Sequence, residues 1–365
     1  MFHSVVCRLR CTPSFRTLNS QIGLVPAAAA RTLGAVDTAR GREEAFRLQR
    51  PQLLETLVAV ARVQSTEASN AIEGIAAPRK RIEALVAERA TPRNRPEAEI
   101  VGYRHVLDTI HESAPNIPVT PAVVEQFHRD LYQYTSVPAG RWKTVENSIT
   151  ETLPDGTVRE RFRTVSAAQT PAAMEELHER FLAAGETGEH HPLLLIGCYV
   201  FDFLAIHPFR DGNGRIGRLL TLLVLYQSGY EVGRYISLER LISGSRESYY
   251  EALEAAGHGW HEGEHDIWPW LEYLLGILTA AYREFEERAN LLAEGRGAKT
   301  AAIERFVRSR IADEFKISDV REAALGASDS LIGKALARLR DEGLIESLGT
   351  GRSARWRRLG RGDHG

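Results

Sequence analysis

The sequence is poor in cysteine, with three residues (Cys7, Cys11 and Cys198) in a chain of 365. Their spacing matches no metal-ligand motif, and an odd number gives no complete disulfide framework. Long apolar runs are also missing. The longest, residues 192–200 and 219–226, fall well short of the roughly 20 residues that a membrane helix needs. These absences argue against a disulfide-stabilised secreted protein and against a membrane protein. They predict a protein of the reducing cytoplasm.

Acidic residues are missing from the first 36 positions, where Arg8, Arg10, Arg16 and Arg31 are scattered among small and apolar residues. This composition can mimic an organellar transit peptide. The alternative is an unstructured extension ahead of the folded protein, which we favour because periodic helical patterns begin soon afterwards. Residues 1–19 are therefore predicted to be a disordered extension.

Charge is unevenly distributed, although the net charge is only −2. Residues 297–361 contain 14 Lys and Arg against 9 Asp and Glu, a balance of +5, and the rest of the chain contains 32 against 39, a balance of −7. Gly295 and Gly297 mark a linker at the start of the basic segment. This asymmetry predicts a separate basic module at the C-terminus.

Helical periodicity dominates the chain ahead of that module. Thr120 and Thr170 are each followed by proline, the pattern of a helix cap with proline in the first turn. One segment differs, because residues 142–150 and 158–165 are short extended runs around the turn sequence of residues 153–156. The sequence therefore predicts a mainly α protein with one β-hairpin.

The segment from His207 to Arg218, with the sequence HPFRDGNGRIGR, is a loop that leads into the first turn of a helix. Gly212 and Gly214 let the backbone approach a ligand closely. Together with Asn213, they place unpaired backbone amides where the helix begins. Such amides form an anion pocket suited to phosphate groups.

Four side chains of the same segment complete the requirements for phosphoryl-type chemistry. Arg215 and Arg218 lie three residues apart on the helix, as a pair of phosphate clamps. Asp211 supplies a hard oxygen of the kind that Mg²⁺ prefers. His207 is a base with a pKa suited to neutral pH. Phosphoryl transfer depends on positioning and charge neutralisation, which these groups provide.

This segment resembles the signature HPFxxGNGRxxR of the Fic family and matches all eight specified positions. The resemblance implies a helical core that binds ATP and transfers AMP to a Tyr, Thr or Ser hydroxyl of a target protein. His207 would deprotonate the hydroxyl, and Asp211 would hold Mg²⁺ against the phosphates. The amides of residues 212–214 would form the anion hole, and Arg215 and Arg218 would grip the outer phosphates. Related kinases carry Lys at the position of Gly214, so glycine favours AMP transfer.

An upstream segment, residues 69–74 with the sequence SNAIEG, resembles the inhibitory motif [S/T]xxxE[G/N] of this family. By itself the pattern also fits a solvated Glu near a helix end. The resemblance implies that Glu73 pairs with Arg218 and denies the γ-phosphate its place, that Ser69 orients the inhibitory helix, and that Gly74 completes the motif. In some relatives the same glutamate helps to remove AMP, which leaves a second activity open for Glu73.

The predicted hairpin lies where Fic proteins carry a flap over the site. We expect the strand edge of residues 142–165 to dock a segment of the target protein by main-chain pairing; a purely structural hairpin is the alternative. Tyr249 and Tyr250, which follow the motif, are candidates for lining the adenine pocket. Ordinary core packing is the alternative for this pair.

The basic C-terminal module resembles a winged helix. Its predicted third helix, residues 329–342, carries Lys334, Arg338 and Arg340 on a partly basic face, and the wing brings further arginines, Arg352, Arg355, Arg357 and Arg358. This layout suits contacts with duplex DNA. The alternative is a protein-interaction or homodimerisation module with a solvated basic face.

Together these features predict a Fic helical core with a β-hairpin flap and a small winged-helix domain. The predicted divisions are a disordered extension (1–19), an N-terminal helical region with the inhibitory helix (20–115), the catalytic core (116–294) and the winged-helix-like domain (298–361). The leading hypothesis is a self-inhibited protein adenylyltransferase that uses ATP and Mg²⁺. The alternative is a nucleotide-responsive regulator that binds DNA through its C-terminal domain.

Overall fold

A computed structural model describes residues 12–152, 156–293, 296–309, 314–324, 327–349 and 355–359. Within these ranges the protein is mainly helical with two small sheets, which confirms the predicted fold class. The helices are α1 (Pro13–Arg16), α2 (Leu18–Ile22), α3 (Ala27–Gln49), α4 (Pro51–Ile72), α5 (Arg79–Val86), α6 (Arg95–Ser113), α7 (Pro121–Leu131), α8 (Thr170–Thr187), α9 (Pro192–Ile206), α10 (Asn213–Gln227), α11 (Leu238–Gly244), α12 (Arg246–Gly257), α13 (Trp268–Ala293), α14 (Arg296–Ser309), α15 (Ile317–Ala323) and α16 (Asp329–Asp341). The strands are β1 (Ser148–Thr152), β2 (Val158–Arg163), β3 (Glu314–Lys316), β4 (Ile345–Ser347) and β5 (Arg355–Arg358).

The chain divides into two compact units. The first contains Met1–Arg42 and Ala59–Tyr282, and the second contains Glu43–Val58 and Arg283–Gly365. The predicted divisions from residue 20 onwards (20–115, 116–294 and 298–361) stay a prediction. In the described ranges, none of the helices combines the length and the apolar character that crossing a lipid bilayer requires.

The core of the first unit is built around α9 and α10. Every residue of α9 from Leu193 to Ile206 is buried, as expected of a helix that is apolar on all sides. Helix α9 packs against α8 and α10, and α10 also packs against α6 and α7. The loop of residues 207–212, which joins α9 to α10, is therefore carried by the two most buried helices of the unit.

Both ends of this loop have left-handed backbone conformations. Helix α9 ends at Ile206 and is followed by His207, whose φ is +53°, and Gly212 precedes α10 with a φ of +82°. Glycine adopts this conformation without strain, whereas histidine requires support from its surroundings. A side chain at Gly212 would also place its Cβ 3.0 Å from the Tyr132 hydroxyl oxygen. The turn into α10 thus depends on glycine at this position.

The N-terminal segment differs from the predicted disordered extension. Residues 1–11 lie outside the described ranges, but α1 and α2 are formed and Ser14 is fully buried. Its Oγ lies 2.6 Å from Asp202 Oδ1 on α9 and 2.9 Å from His265 Nε2. Trp260 Nε1 donates to the same carboxylate oxygen over 2.8 Å. This polar cluster, with Phe15 packed beside it, orders a segment whose composition alone suggested disorder.

The predicted hairpin is present as the antiparallel pair β1 and β2. The register pairs Ser148 with Arg163 and Thr152 with Val158, with an irregularity between Ile149 and Thr150. Residues 153–155 of the predicted turn lie outside the described ranges. The hairpin forms a two-stranded sheet, and the carbonyl oxygen of Arg163 in β2 lies 2.6 Å from His261 Nε2.

The C-terminal part of the second unit has its own apolar core, which includes Ile303, Leu336 and Leu339. Its elements follow the order α14, β3, α15, α16, β4, β5, and the antiparallel sheet has the strand order β3-β5-β4. Strand β3 was not predicted from the sequence. The element order is compatible with a winged helix, and the assignment of that fold stays a prediction.

Candidate active site

The loop between α9 and α10 is closed by the Asn213 side chain. Its Oδ1 accepts from the backbone amide of Phe209 over 2.8 Å, and its Nδ2 donates to the Phe209 carbonyl over 2.7 Å. At 2% exposure, the amide group of this side chain is sequestered from solvent and committed to the loop. Asn213 was predicted to contribute its backbone amide to an anion hole. The structure adds that its side chain shapes the loop that presents this amide.

His207 stands at the end of α9 as a neutral base. Its Nδ1 lies 3.2 Å from the Leu204 carbonyl oxygen, which can only accept a hydrogen bond. The proton therefore sits on Nδ1, and the Nε2 lone pair is available. Burial lowers the pKa of His207 to about 4, with a smaller contribution in the same direction from the Lys143 ammonium. The pKa is lower than the near-neutral value predicted from the sequence because the ring is buried, so the ring is unprotonated at neutral pH.

Glu73 and Arg218 form the ion pair that the inhibitory motif predicted. Glu73 Oε1 lies 2.8 Å from Arg218 Nη2. Ser69 accepts two further hydrogen bonds from the same guanidinium, through Oγ from Nε and through its carbonyl oxygen from Nη2, both over 2.9 Å. Although burial opposes the charge of Arg218, the Glu73 carboxylate holds its pKa above the usual value. Ser69 on α4 and Glu73, the first residue after α4, thus contact the same arginine.

The Glu73 carboxylate also covers the first turn of α10. A Cβ atom added to Gly214 would lie 2.3 Å from Glu73 Oε1 and 3.2 Å from Arg218 Nη1. The first turn of α10 contains no acidic residue of its own. Because unpaired amides and the helix dipole favour an anion at this end, the carboxylate lies where a phosphate group would be stabilised.

Arg215, the second predicted phosphate clamp, makes buried contacts with protein groups. Its side chain is 1% exposed, and Nη1 lies 2.6 Å from Glu99 Oε2. Nη2 donates to the Tyr132 hydroxyl over 2.7 Å. Helix α6 packs against α10 and supplies this buried carboxylate, and a role for Arg215 in binding phosphate stays a prediction. Arg215 therefore ties α6, α7 and α10 together beneath the loop.

Asp211, the predicted Mg²⁺ ligand, lies at the mouth of the site with 61% of its side chain exposed. Its Oδ1 accepts from the Gly212 amide over 2.7 Å, and Oδ2 lies 3.9 Å from Arg95 Nη2. Mg²⁺ is commonly held by one or two protein carboxylates together with substrate phosphates and water. An exposed carboxylate beside an anion site fits that pattern. The described residues contain no cluster of three or more candidate ligands that would bind a metal alone.

Tyr249 and Tyr250 occupy different environments on α12. Tyr249 is buried, with ring centroids 5.8 Å from Trp270 and 5.7 Å from Tyr273, which is ordinary core packing. Tyr250 is half-buried, and the Arg161 guanidinium of β2 lies 5.9 Å from its ring centroid. A role for either ring in binding adenine stays a prediction.

His128 was not identified from the sequence, although it supports the loop directly. Its Nε2 lies 3.1 Å from the Asp211 carbonyl oxygen, and its Nδ1 accepts from the Gly140 amide over 2.9 Å. The ring stacks on Phe209 at a centroid separation of 3.8 Å and an angle of 2°. Burial lowers the pKa of His128 to about 4. No local pattern distinguishes this histidine, because its partners come from distant segments.

The arginines of the C-terminal module pair with carboxylates of the same module. Arg338 lies 3.4 Å from Glu304 and 2.9 Å from Glu342, and Arg357 lies 3.0 Å from Glu314. The other predicted DNA contacts are Lys334, Arg340, Arg355 and Arg358, which are exposed, and Arg352, which lies outside the described ranges. Contacts with duplex DNA, or with a second copy of the chain, stay predictions.

The central region of this chain is similar to known protein families. A family model described as Fic/DOC family matches residues 118–225, which include the segment from His207 to Arg218. A Fido domain-containing protein of Dictyostelium discoideum is 30% identical over 117 residues, which cover 30% of this chain and 78% of that protein. The protein adenylyltransferase Fic of Nematostella vectensis is 24% identical over 176 residues, which cover 47% of this chain but 34% of that longer protein.

Solved structures share the fold over a larger part of the chain. A Fic family protein from Desulfovibrio desulfuricans G20 covers 93% of this chain and 98% of its own, with a TM-score of 0.59 and 22% identity. A Fic domain containing signaling protein from Bacteroides thetaiotaomicron covers 71% of this chain and 97% of its own, with a TM-score of 0.60 and 22% identity. At these identities the likeness concerns the fold.

Proposed function

The chain belongs to the Fic/DOC family, and on that premise we propose that it is a protein adenylyltransferase, which transfers AMP from ATP to a Tyr, Thr or Ser hydroxyl of a target protein. One observation carries the proposal. An anion position at the start of α10 already holds the Glu73 carboxylate, and it lies in the same site as the neutral imidazole of His207. Relatives named protein adenylyltransferases support this choice of reaction.

The proposed transfer is a single displacement at the α-phosphorus of ATP. His207 Nε2 takes the proton of the target hydroxyl, whose oxygen forms a bond to the α-phosphorus. The bond from that phosphorus to the bridging oxygen breaks, and pyrophosphate leaves with the electron pair. The amides at residues 212–214 and the guanidinium of Arg218 offset the charge of the phosphates. Arg215 contributes from beneath the loop, by holding α10 in place.

Mg²⁺ fits the site through Asp211, whose exposed carboxylate can share the ion with the phosphates. Bound there, the ion would neutralise phosphate charge, as metal ions do in phosphoryl-type transfer. Arg95 lies near the same carboxylate and balances its charge in the structure.

We propose that Glu73 inhibits this transfer by occupying the position of an outer phosphate. The carboxylate contacts Arg218 and lies against Gly214, so a triphosphate cannot contact both groups until Glu73 moves. Two hydrogen bonds from Arg218 to Ser69 hold the end of α4 in place for this contact. The Glu73 carboxylate and the nucleotide therefore compete for the guanidinium of Arg218.

Two finer proposals concern the target protein. We propose that β1, as one strand of a two-stranded sheet, docks an extended target segment by main-chain pairing. A second activity, the removal of AMP, would use Glu73 as the base that activates water. Release of AMP from modified protein by the unaltered chain, and its loss in Glu73→Gln, would test that activity separately.

The test of the main proposal is incubation of purified protein with ATP labelled at the α-phosphate. We expect Glu73→Gly to label itself or added protein well above the unaltered chain, and Glu73→Gly with His207→Ala to lose the label while its circular dichroism is retained. ATP labelled at the γ-phosphate should give no labelled protein. Labelling from the γ-phosphate, or equal labelling by all three proteins, would contradict the proposal.

A further inference from the structure

Lys143 contacts the residues on both sides of the catalytic histidine in the sequence. Its Nζ donates to the carbonyl oxygen of Ile206 over 3.1 Å, and its backbone amide donates to the carbonyl oxygen of Pro208 over 2.8 Å. These two carbonyls belong to the residues immediately before and after His207. Lys143 thus contacts the peptide group that precedes His207 and the peptide group that follows Pro208.

Asn147 completes this arrangement. Its Nδ2 donates to the carbonyl oxygen of Phe209 over 2.9 Å and lies 3.5 Å from that of His207. The four successive carbonyls of residues 206–209 are therefore all contacted by Lys143 and Asn147. A histidine at positive φ is costly unless its surroundings over-determine it, and this set of contacts does so.

The Lys143 ammonium is buried, and all of its N–H donors are used. The residue is only 5% exposed. Its Nζ contacts Asn147 Oδ1 at 2.8 Å and Thr164 Oγ1 at 2.9 Å, in addition to the Ile206 carbonyl. Burial lowers the pKa of Lys143 to about 8, so the group stays mainly protonated at neutral pH. A cation at the C-terminal end of α9 is also favoured by the helix dipole.

The same residues form the base of the hairpin. Asn147 immediately precedes β1, and Thr164 immediately follows β2. Thr164 Oγ1 lies 2.8 Å from the Asn147 carbonyl oxygen, so the two ends of the hairpin are joined at the point where Lys143 contacts them. The segment that carries the hairpin and the loop that carries His207 thus share one buried hydrogen-bond network.

We propose that Lys143 and Asn147 are positioning residues, which hold the His207 ring in the orientation needed for proton transfer and couple that orientation to the base of the hairpin. The role of His207 as the base rests on the proposed function, whereas the network itself does not. Because misplacement of a catalytic group by about 1 Å can cost roughly 100-fold in rate, loss of these contacts should reduce turnover.

The first test observes His207 without relying on activity. Protein is labelled with ¹³C in its histidine rings, and the His207 signal is identified by its absence in His207→Asn. We expect Lys143→Met and Asn147→Ala to shift or broaden this signal, and Lys143→Arg, which restores donors and charge, to bring it back towards its original position. Arg141→Met is the matched control, because it removes an exposed cation two residues away. An unchanged His207 signal in both Lys143→Met and Asn147→Ala would overturn the proposal.

The second test separates positioning from general loss of structure. In the Glu73→Gly background, Lys143→Met should lower kcat for AMP transfer by about 10- to 100-fold. The Kd for ATP with Mg²⁺ should change less than about twofold, since Lys143 contacts the carbonyls of Ile206 and Pro208, whereas the amides of residues 212–214 and Arg218 would hold the phosphates. A parallel loss of nucleotide binding, or an unchanged kcat, would count against the proposal. Absence of AMP transfer in Glu73→Gly alone would instead refute the proposed function, and the NMR test would still decide the role of Lys143.

Discussion

Replacing Glu73 with Gln should make the protein bind ATP more tightly. The Glu73 side chain is 32% exposed and that of Arg218 is 4% exposed, so their ion pair is largely shielded from water. A hydrogen bond between charged groups contributes about 1.5–3 kcal/mol, and one with a neutral amide about 0.5–1.5 kcal/mol. The nucleotide must displace this contact to reach Arg218. The substitution therefore lowers the cost of binding by about 1–2 kcal/mol, or roughly 5- to 30-fold in Kd.

Isothermal titration calorimetry with ATP and excess Mg²⁺ measures this change. The matched control is Glu55→Gln, an exposed position on the same helix, which removes the same charge away from the site. AMP should show a smaller gain than ATP, because it lacks the outer phosphates that compete with Glu73. Equal Kd values for the unaltered chain and Glu73→Gln would refute the view that the carboxylate and the triphosphate compete for Arg218. A gain in ATP affinity of the same size in Glu55→Gln would show that the gain in Glu73→Gln comes from the change in net charge alone.

Three further predictions concern other parts of the site. The neutral form of His207 accepts the proton, and its pKa is lowered to about 4. For Glu73→Gly, kcat/KM for AMP transfer should therefore be independent of His207 protonation from pH 8 to about 5 and should fall below pH 5. An inflection near pH 6.5 would contradict this. Glu99→Ala leaves Arg215 buried without its carboxylate and should reduce the free energy of unfolding, measured by urea denaturation, by about 3–5 kcal/mol. Glu83→Ala, at an exposed position, should change that free energy by no more than about 0.5 kcal/mol. Asp211→Asn should reduce the gain in ATP affinity that Mg²⁺ provides over EDTA, and an undiminished gain would exclude Asp211 as a ligand.

Local sequence signals predicted much of the helical fold. Thr120 and Thr170, each followed by proline, were predicted to cap helices. Thr120 caps α7, whereas Thr170 is the first residue of α8 and Gln169 holds the cap position. The apolar stretch before His207 and the turn sequence after residue 152 likewise predicted α9 and the hairpin. These features depend on neighbours in the chain, which is why the sequence alone reveals them. Strand β3 is only three residues long, too short for a periodic pattern to appear.

The parts of the site that sequence analysis missed depend on distant contacts. Spacing on a helix placed Arg215 and Arg218 on similar faces, but it could not show that Glu99 would capture Arg215. Lys143 carries no motif of its own, because its acceptors lie in separate segments at residues 147, 164 and 206. The pair of Glu73 and Arg218 was predicted only because family resemblance links two motifs far apart in the chain.

The contact between Ser14 and Asp202 has a practical consequence for anyone who shortens this protein. A version that starts at α3 would keep the whole catalytic loop, yet it would remove the hydroxyl that bonds to a carboxylate on α9. Burial raises the pKa of Asp202 to about 7, and loss of Ser14 removes one of the hydrogen bonds that favour its ionised form. Truncation at the far N-terminus would thus change the helix that carries His207.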